Sequence, residues 1–128
     1  MDIFYHNLEI YKRKDVSNEM AKEVSTRGYV KLYRKAQEDE IFKNPYAWQL
    51  FTYCLFNATF DSRYGEVGTL ITTKKDIAND LGLSRSALDK FMNFLKENKV
   101  IDYKTYRGGI GKTEIKILNY KKYQDSSM

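Results

Sequence analysis

The 128-residue chain has one cysteine, one histidine and one proline. With Cys54 alone no intrachain disulfide can form, so a reducing cytoplasm is the compartment that we expect. A bilayer span needs about 18 consecutive apolar residues, and no segment of the sequence approaches that length. The N-terminus places its charges after its apolar residues, which is the reverse of a signal peptide. We therefore expect neither export nor insertion into a membrane.

The same scarcity of reactive side chains argues against catalysis. His6 is the single histidine, and no cysteine or acid is spaced with it as metal ligands are. Cys54 lies among apolar residues of a helical segment, which favours a packed thiol over a nucleophile. The acidic run at 38–40 is typical of a solvated helix end. We expect no enzyme activity, no metal and no cofactor.

Charge is distributed unevenly along the chain. Residues 1–83 carry twelve Lys/Arg and twelve Asp/Glu, whereas residues 84–128 carry ten Lys/Arg and five Asp/Glu. The net charge of +5 therefore belongs to the last third of the chain. A local cationic excess attracts polyanions, and a solvated basic face is the alternative.

The single proline marks the start of the strongest predicted helix. Asn44 as cap and Pro45 as first helical residue predict a helix over 45–58. Apolar residues cover most of its circumference, which is typical of a central, buried helix. Before it, residues 29–40 are interpreted as a short helix and residues 1–28 as an N-terminal extension.

Two further helices and a hairpin follow. The run "TLITT" predicts a strand, after which Thr73 caps a helix that Gly82 ends, and Ser84 caps another. Alternating residues then predict two strands, "VIDYKTY" and "TEIKILNY", joined by "RGGIGK". This order predicts an α+β fold, mainly α, and within that class a winged helix-turn-helix with a C-terminal β-hairpin wing. The predicted domain spans residues 29–124 and leaves a tail at 125–128.

The third helix and the hairpin carry the residues that we expect to contact double-stranded DNA. On the polar side of the helix, arginine can fork onto guanine, asparagine onto adenine, and lysine and serine onto phosphate. The N-terminus of the helix adds backbone N–H groups for a phosphate. Hairpin glycines let a backbone approach the phosphate ridge, and the neighbouring cations can reach the minor groove. The predicted DNA-binding residues are Ser84, Arg85, Ser86, Asp89, Lys90, Asn93, Lys104, Arg107, Gly109 and Lys112.

Some of these side chains have more than one interpretation. Asp89 could accept from a cytosine amine, pair with Arg85 one turn away, or remain a solvated acid. Tyr103 and Tyr106 could stack on the bases of a single strand, or be half-buried residues of their strands.

Four segments of the chain resemble a known family. They are "GYVKLYRK", "IFKNPYAWQLFTYCLFNATF", "GTLITTKKDIANDLGLSRSALDKFMNFLKENKVI" and "ILNYKKYQ", and they lie within residues 28–124. These segments resemble the N-terminal domain of phage replisome organisers, the DnaD-like replication initiation proteins of phages of Gram-positive bacteria. The wing "RGGIGK" is similar to that of plasmid replication initiators.

The resemblance implies a winged helix that binds origin DNA and helps to recruit the helicase-loading machinery of the host. Family members usually continue into a second helical domain, whereas this chain stops at "QDSSM". A stand-alone DNA-binding protein and a protein that binds a replication protein therefore both stay open. Carried over by position, the implied DNA contacts are Arg85, Ser86, Lys90, Asn93, Arg107 and Lys112.

Three functions are compatible with the sequence. The leading hypothesis is a DNA-binding protein of a phage or mobile element that acts in replication initiation. The alternatives are a transcriptional regulator with the same helix-turn-helix, and a module that binds a replication protein. One recognition helix reads only a few base pairs, so a homodimer is a further expectation. Residues 1–28, with a short helix capped by Asp15, would supply its contact.

Overall fold

The computed structural model describes residues 28–107 and 111–124. The predicted helix after Asp15, Gly109 and the tail at 125–128 lie outside the described residues. Within them the fold is α+β, with helices packed on a small antiparallel sheet. The helices are α1 (Glu40–Lys43), α2 (Pro45–Asn57), α3 (Lys74–Leu81) and α4 (Arg85–Glu97), and the strands are β1 (Thr69–Thr73), β2 (Ile101–Thr105) and β3 (Lys112–Ile117).

Side-chain caps begin the three longer helices where the sequence predicts them. The side chains of Asn44, Thr73 and Ser84 each accept a hydrogen bond from the backbone N–H three residues on, at 3.1 to 3.2 Å. Each bond satisfies a donor that has no partner within the helix. The predicted starts of α2, α3 and α4 are therefore confirmed.

The sheet has the strand order β1-β3-β2, with both pairings antiparallel. On the central strand, Thr113, Ile115 and Ile117 are buried against the helices. Between them, Glu114 pairs with Lys104 on the opposite side of the sheet. Because side chains alternate along a strand, the sheet has one inner apolar face and one outer polar face.

The core lies between α2, α4 and the inner face of the sheet. On the two helices, Leu50, Leu55, Leu88 and Met92 are each less than 2% exposed. Cys54 is also fully buried in this core, as predicted, and burial raises the pKa of its thiol to about 12. A protonated thiol packed in this way behaves as a small apolar side chain.

The segment before α1 differs from its prediction. Residues 29–40, predicted as a short helix, begin as extended chain, and Val30 forms an antiparallel bridge with Gln124. A 3-10 turn over Arg34–Glu38 follows, ahead of α1. The helix prediction was wrong because the backbone here pairs with the distant end of the fold.

The last strand is shorter than its prediction. The period-two pattern over 113–120 predicted one continuous strand, yet β3 ends at Ile117. Asn119 adopts the left-handed conformation, with φ 58°, and a 3-10 turn over Tyr120–Tyr123 follows it. Asparagine tolerates this conformation better than most residues, and it turns the chain out of the sheet.

Candidate nucleic-acid interface

Gly82 forms the turn between α3 and α4. Its φ of 67° and ψ of 33° are left-handed, a conformation that glycine adopts without strain. The N–H of Leu83 then donates to the carbonyl oxygen of Ala78 at 3.0 Å, which closes the end of α3. Ile77 and Ala78 are buried beneath the turn. The turn therefore anchors the N-terminus of α4 beside the end of α3.

One side of α4 is exposed and polar. The opposite side packs into the core through Leu88, Phe91, Met92 and Leu95. The polar side begins in the first turn and reaches Asn93 in the third, and its side chains are exposed. We call this surface the α4 outer face; it consists of Arg85, Ser86, Lys90 and Asn93.

Asp89 is tied to α3 by an ion pair. Lys74 Nζ donates to Asp89 Oδ1 at 2.7 Å, and the side chain of Lys74 is only 16% exposed. Asp89 therefore pairs with Lys74 of the other helix. The interpretation that Asp89 pairs with Arg85 was wrong. A local pattern within α4 did not reveal this partner, because Lys74 lies fifteen residues earlier in the sequence. The pair braces α4 against the start of α3.

Tyr103 connects β2 to the edge of the α4 outer face. Its hydroxyl donates to Asn93 Oδ1 at 2.6 Å, which fixes the orientation of the amide. The ammonium groups of Lys74 and Lys96 lie 5.7 and 5.2 Å from the centre of its ring, within cation–π range. Tyr103 is half-buried, which confirms the structural interpretation of this residue.

The predicted hairpin lysines lie on the outer face of the sheet, away from α4. Lys104 and Lys112 flank the ring of Tyr106, with their ammonium groups 5.7 and 5.1 Å from its centre. The hydroxyl of Tyr106 donates to Glu114 Oε2 at 3.1 Å. Tyr106 is 41% exposed, so the half-buried interpretation was wrong for this tyrosine. The structure thus separates these two lysines from the α4 outer face.

Of the other predicted residues, Ser84 belongs to the helix and Arg107 to the hairpin. Ser84 Oγ caps α4 and lies 3.3 Å from the hydroxyl of Ser86. Arg107 is exposed just beyond the end of β2, beside the part of the hairpin loop that lies outside the described residues.

Three residues beside the α4 outer face were missing from the predicted set. They are Tyr103, which donates a hydrogen bond to Asn93, and Lys74 and Lys96, whose ammonium groups lie near the ring of Tyr103. The sequence holds a signal for two of them. Tyr103 lies two residues after buried Ile101 on the same strand, so both face the helices. Lys96 follows Asn93 by about one helical turn.

Comparison of the chain with protein-family models, with curated proteins and with solved structures finds no match. Among residues 28–107 and 111–124, no helix has the length and apolar character to cross a bilayer. In the same residues, no three His, Cys, Asp or Glu side chains are grouped to hold a metal ion. The described structure is that of an α+β protein whose helix α4 exposes a polar side that includes Arg85, Lys90 and Lys96.

Proposed function

We propose that this protein binds double-stranded DNA as a winged helix-turn-helix, with α4 in the major groove. The observation that carries the proposal is the α4 outer face, where Arg85, Lys90 and Asn93 are exposed along a helix of 13 residues. The ion pair between Lys74 and Asp89 holds α4 to α3, and the buried side of α4 anchors the helix in the core. An α-helix of this kind fits the width of the major groove.

Each residue of the α4 outer face has a role in this arrangement. Arg85 lies in the first turn, where a guanidinium can donate two hydrogen bonds to guanine. Asn93, oriented by Tyr103, reads a base two turns further along. Ser86 and Lys90 suit phosphate oxygens, and the positive end of the helix dipole favours the same group.

The hairpin supplies contacts that do not depend on base sequence. Arg107 stands at the base of the loop and would enter the minor groove beside α4. Lys104 and Lys112 lie on the other side of the wing, where they would approach the phosphates that flank that groove.

The process that we propose for this activity is replication initiation in a phage or mobile element. Its support is the resemblance of "GYVKLYRK" and "NYKKYQ" to the segments that flank the helix-turn-helix in replisome organisers. A transcriptional regulator would use the same α4 outer face, and the position of the selected sites in a genome would distinguish the two.

The experiment that tests DNA binding is site selection from random duplexes at physiological salt. We expect Arg85→Ala to lose about 1–3 kcal/mol of base preference at one position, and Lys112→Ala to weaken all sequences alike. Lys116→Ala is the matched control, because this lysine lies on the same strand as Lys112 but pairs with Glu66 at 3.6 Å. If Arg85→Ala and Lys112→Ala both behave like the control, the proposal is wrong.

A module that binds a replication protein is the second candidate, and the outer face of the sheet favours it. There Ile71 is 58% exposed and lies beside Glu114, which pairs with Lys104. An apolar centre with polar residues at its rim is the usual arrangement of a protein contact. Salt separates the two candidates, since DNA affinity falls with a log–log slope of about −0.9 per neutralised phosphate. A shallow slope would favour the protein partner.

A further inference from the structure

A second cationic surface lies where the extended segment before α1 meets the C-terminal 3-10 turn. The backbone N–H of Lys31 donates to the carbonyl oxygen of Tyr123 at 2.8 Å, next to the bridge between Val30 and Gln124. A groove of about 360 Å³ opens between these segments and α2. We call it the Trp48 groove, after the single tryptophan of the chain; its wall includes Tyr33, Lys35, Trp48, Phe51, Lys122 and Tyr123.

Aromatic rings form much of this wall. Trp48 is half-buried, and its ring lies 5.2 Å from that of Phe42 and 5.9 Å from that of Phe51, centre to centre. Phe51 in turn meets Tyr123 edge to face at 5.5 Å. These contacts hold the tryptophan in one orientation, while Tyr33 on the opposite segment is 62% exposed. The groove therefore offers both a fixed ring and an accessible ring to a flat ligand.

The wall of the groove carries two cations and one acid. Lys35 and Lys122 line it, and within residues 28–107 and 111–124 neither forms an ion pair with a carboxylate. Asp39 is the acid in the wall. The two segments carry the cations Lys31, Arg34, Lys35, Lys121 and Lys122 and the acids Glu38 and Asp39.

We propose that the Trp48 groove binds a nucleobase and its adjoining phosphates from a single-stranded nucleic acid. Every base has a flat face that stacks on aromatic side chains, and cations along a groove follow the phosphates. The volume falls within the range of about 300–1,000 Å³ found for small-ligand pockets. A duplex keeps its bases stacked inside, so it cannot place one in this groove. The wall takes no residue from α3 or α4, and the proposal stands independently of duplex binding.

Trp48 is a built-in reporter for this site, because it is the single tryptophan of the chain. The full-length protein is titrated with a dT oligonucleotide of about 12 nucleotides while the Trp48 emission is recorded. We expect quenching at low salt, with affinity that falls on a log–log slope of about −0.7 per phosphate neutralised. A duplex of the same length should leave the emission unchanged. Unchanged emission with the single strand overturns the proposal.

A matched pair of tyrosine variants tests the stacking. Tyr33→Ala should weaken the binding of the oligonucleotide about 5- to 150-fold, the range for loss of one stacked base. Tyr64→Ala is the control, because Tyr64 is 63% exposed against 62% for Tyr33 and does not line the groove. Equal losses from the two variants overturn the proposal.

A second pair of variants tests the charge. The double variant Lys35→Gln, Lys122→Gln should bind more weakly than Lys75→Gln, Lys116→Gln, which removes the same charge from exposed residues outside the groove. Asp39→Asn should bind the oligonucleotide more tightly, since it removes an anion from the wall. Equal losses from the two double variants overturn the assignment of the phosphates.

Two alternatives, a different ligand for this groove and a different site for the single strand, give distinct results. If free thymidine monophosphate quenches Trp48 at the same concentrations as the oligonucleotide, the ligand of the groove is a free nucleotide and not a single strand. Oligonucleotide binding that survives Tyr33→Ala but is lost in Arg85→Ala would place the single strand on the α4 outer face. Either result overturns the proposal.

Discussion

The hydrogen bond between Tyr103 and Asn93 lets a residue of the sheet orient a side chain of the α4 outer face. An asparagine in the first layer of an interface samples several rotamers unless a neighbour holds it. The hydroxyl of Tyr103, at 2.6 Å from Asn93 Oδ1, is such a neighbour. In the binding mode that we propose, discrimination at the base facing Asn93 would therefore depend on Tyr103, a residue of β2 that need not touch DNA.

We expect Tyr103→Phe to reduce base preference at one position of the selected site. Loss of the hydrogen bond should also lower the free energy of unfolding by about 0.5–1.5 kcal/mol. Tyr106→Phe is the matched control, because it removes a hydroxyl bonded to Glu114 on the far face of the sheet. Site selection and urea unfolding measure both effects. An unchanged preference in Tyr103→Phe would show that Asn93 reads no base, or needs no support.

The ion pair between Lys74 and Asp89 should contribute more to stability than the exposed pair nearby. The side chain of Lys74 is 16% exposed, so Asp89→Asn leaves a poorly solvated ammonium group and should cost about 1 kcal/mol. Lys96 and Asp102 are 3.6 Å apart and 51% and 63% exposed, so Asp102→Asn should cost less than about 0.5 kcal/mol. Urea unfolding of the two variants compares them directly, and equal losses would contradict this ranking.

Alkaline pH should destabilise the fold through its buried acids. The Cys54 thiol, with a usual pKa of 9.0, has its pKa raised to about 12 by burial. The pKa of the adjacent Tyr53 is also raised, first by burial and then by its hydrogen bond to Asp80. Above pH 9 the unfolded chain binds fewer protons than the folded one, so stability falls as pH rises from 9 to about 12.

The slope for one such group approaches about 1.4 kcal/mol per pH unit. Urea unfolding between pH 8 and pH 11 (roughly the window in which the unfolded thiol titrates) measures it. Cys54→Ala lowers stability at every pH through the cavity that it leaves, but its profile should be flatter. A profile parallel to that of the parent protein would contradict the assignment to Cys54.

At the scale of elements, two glycines with positive φ should respond differently to alanine. At Gly82, with φ 67°, a Cβ would meet no described atom within 4 Å, so Gly82→Ala should cost only the left-handed strain of about 1–2 kcal/mol. At Gly68, with φ 83°, a Cβ would lie 2.9 Å from Tyr120 Cβ. Gly68→Ala should therefore lose about a further 1–3 kcal/mol through overpacking. Thermal unfolding compares the two, and a greater loss at Gly82 would contradict it.

The elements that the sequence predicted well are those whose limits are set by neighbours in the chain. Asn44, Thr73 and Ser84 cap their helices through bonds that span three residues, and Gly82 acts on the turn that contains it. A strand of β-branched residues between such signals, as in "TLITT", is also a local feature. Local rules therefore sufficed from α2 to the start of β2.

The remaining features depend on pairing across the chain. The extended backbone at Val30 has its partner at Gln124, and the partner of Asp89 is Lys74 in another helix. Alternation assigned the hairpin residues to two faces of the sheet, but it did not say which face the helices cover. For that reason Lys104 and Lys112 were predicted only as wing contacts to DNA, without the face of the sheet on which they lie.

At the scale of the whole molecule, the α4 outer face and the Trp48 groove are built from different elements. We expect their ligands to bind independently: Tyr33→Ala should leave duplex affinity unchanged, and Arg85→Ala should leave the affinity for a dT oligonucleotide unchanged. Anisotropy of labelled duplex in the presence of saturating single strand measures the same independence. Mutual displacement of the two nucleic acids would mean that they share one surface.

The bridge between Val30 and Gln124 has a practical consequence for anyone who attaches something to this protein. Because the bridge is antiparallel, the chain enters the fold at Val30 next to the point at which it leaves at Gln124. A fluorophore attached at either junction would then lie close to Trp48, and its emission would report on the Trp48 groove. An affinity tag or a tether attached there would obstruct the groove by its bulk.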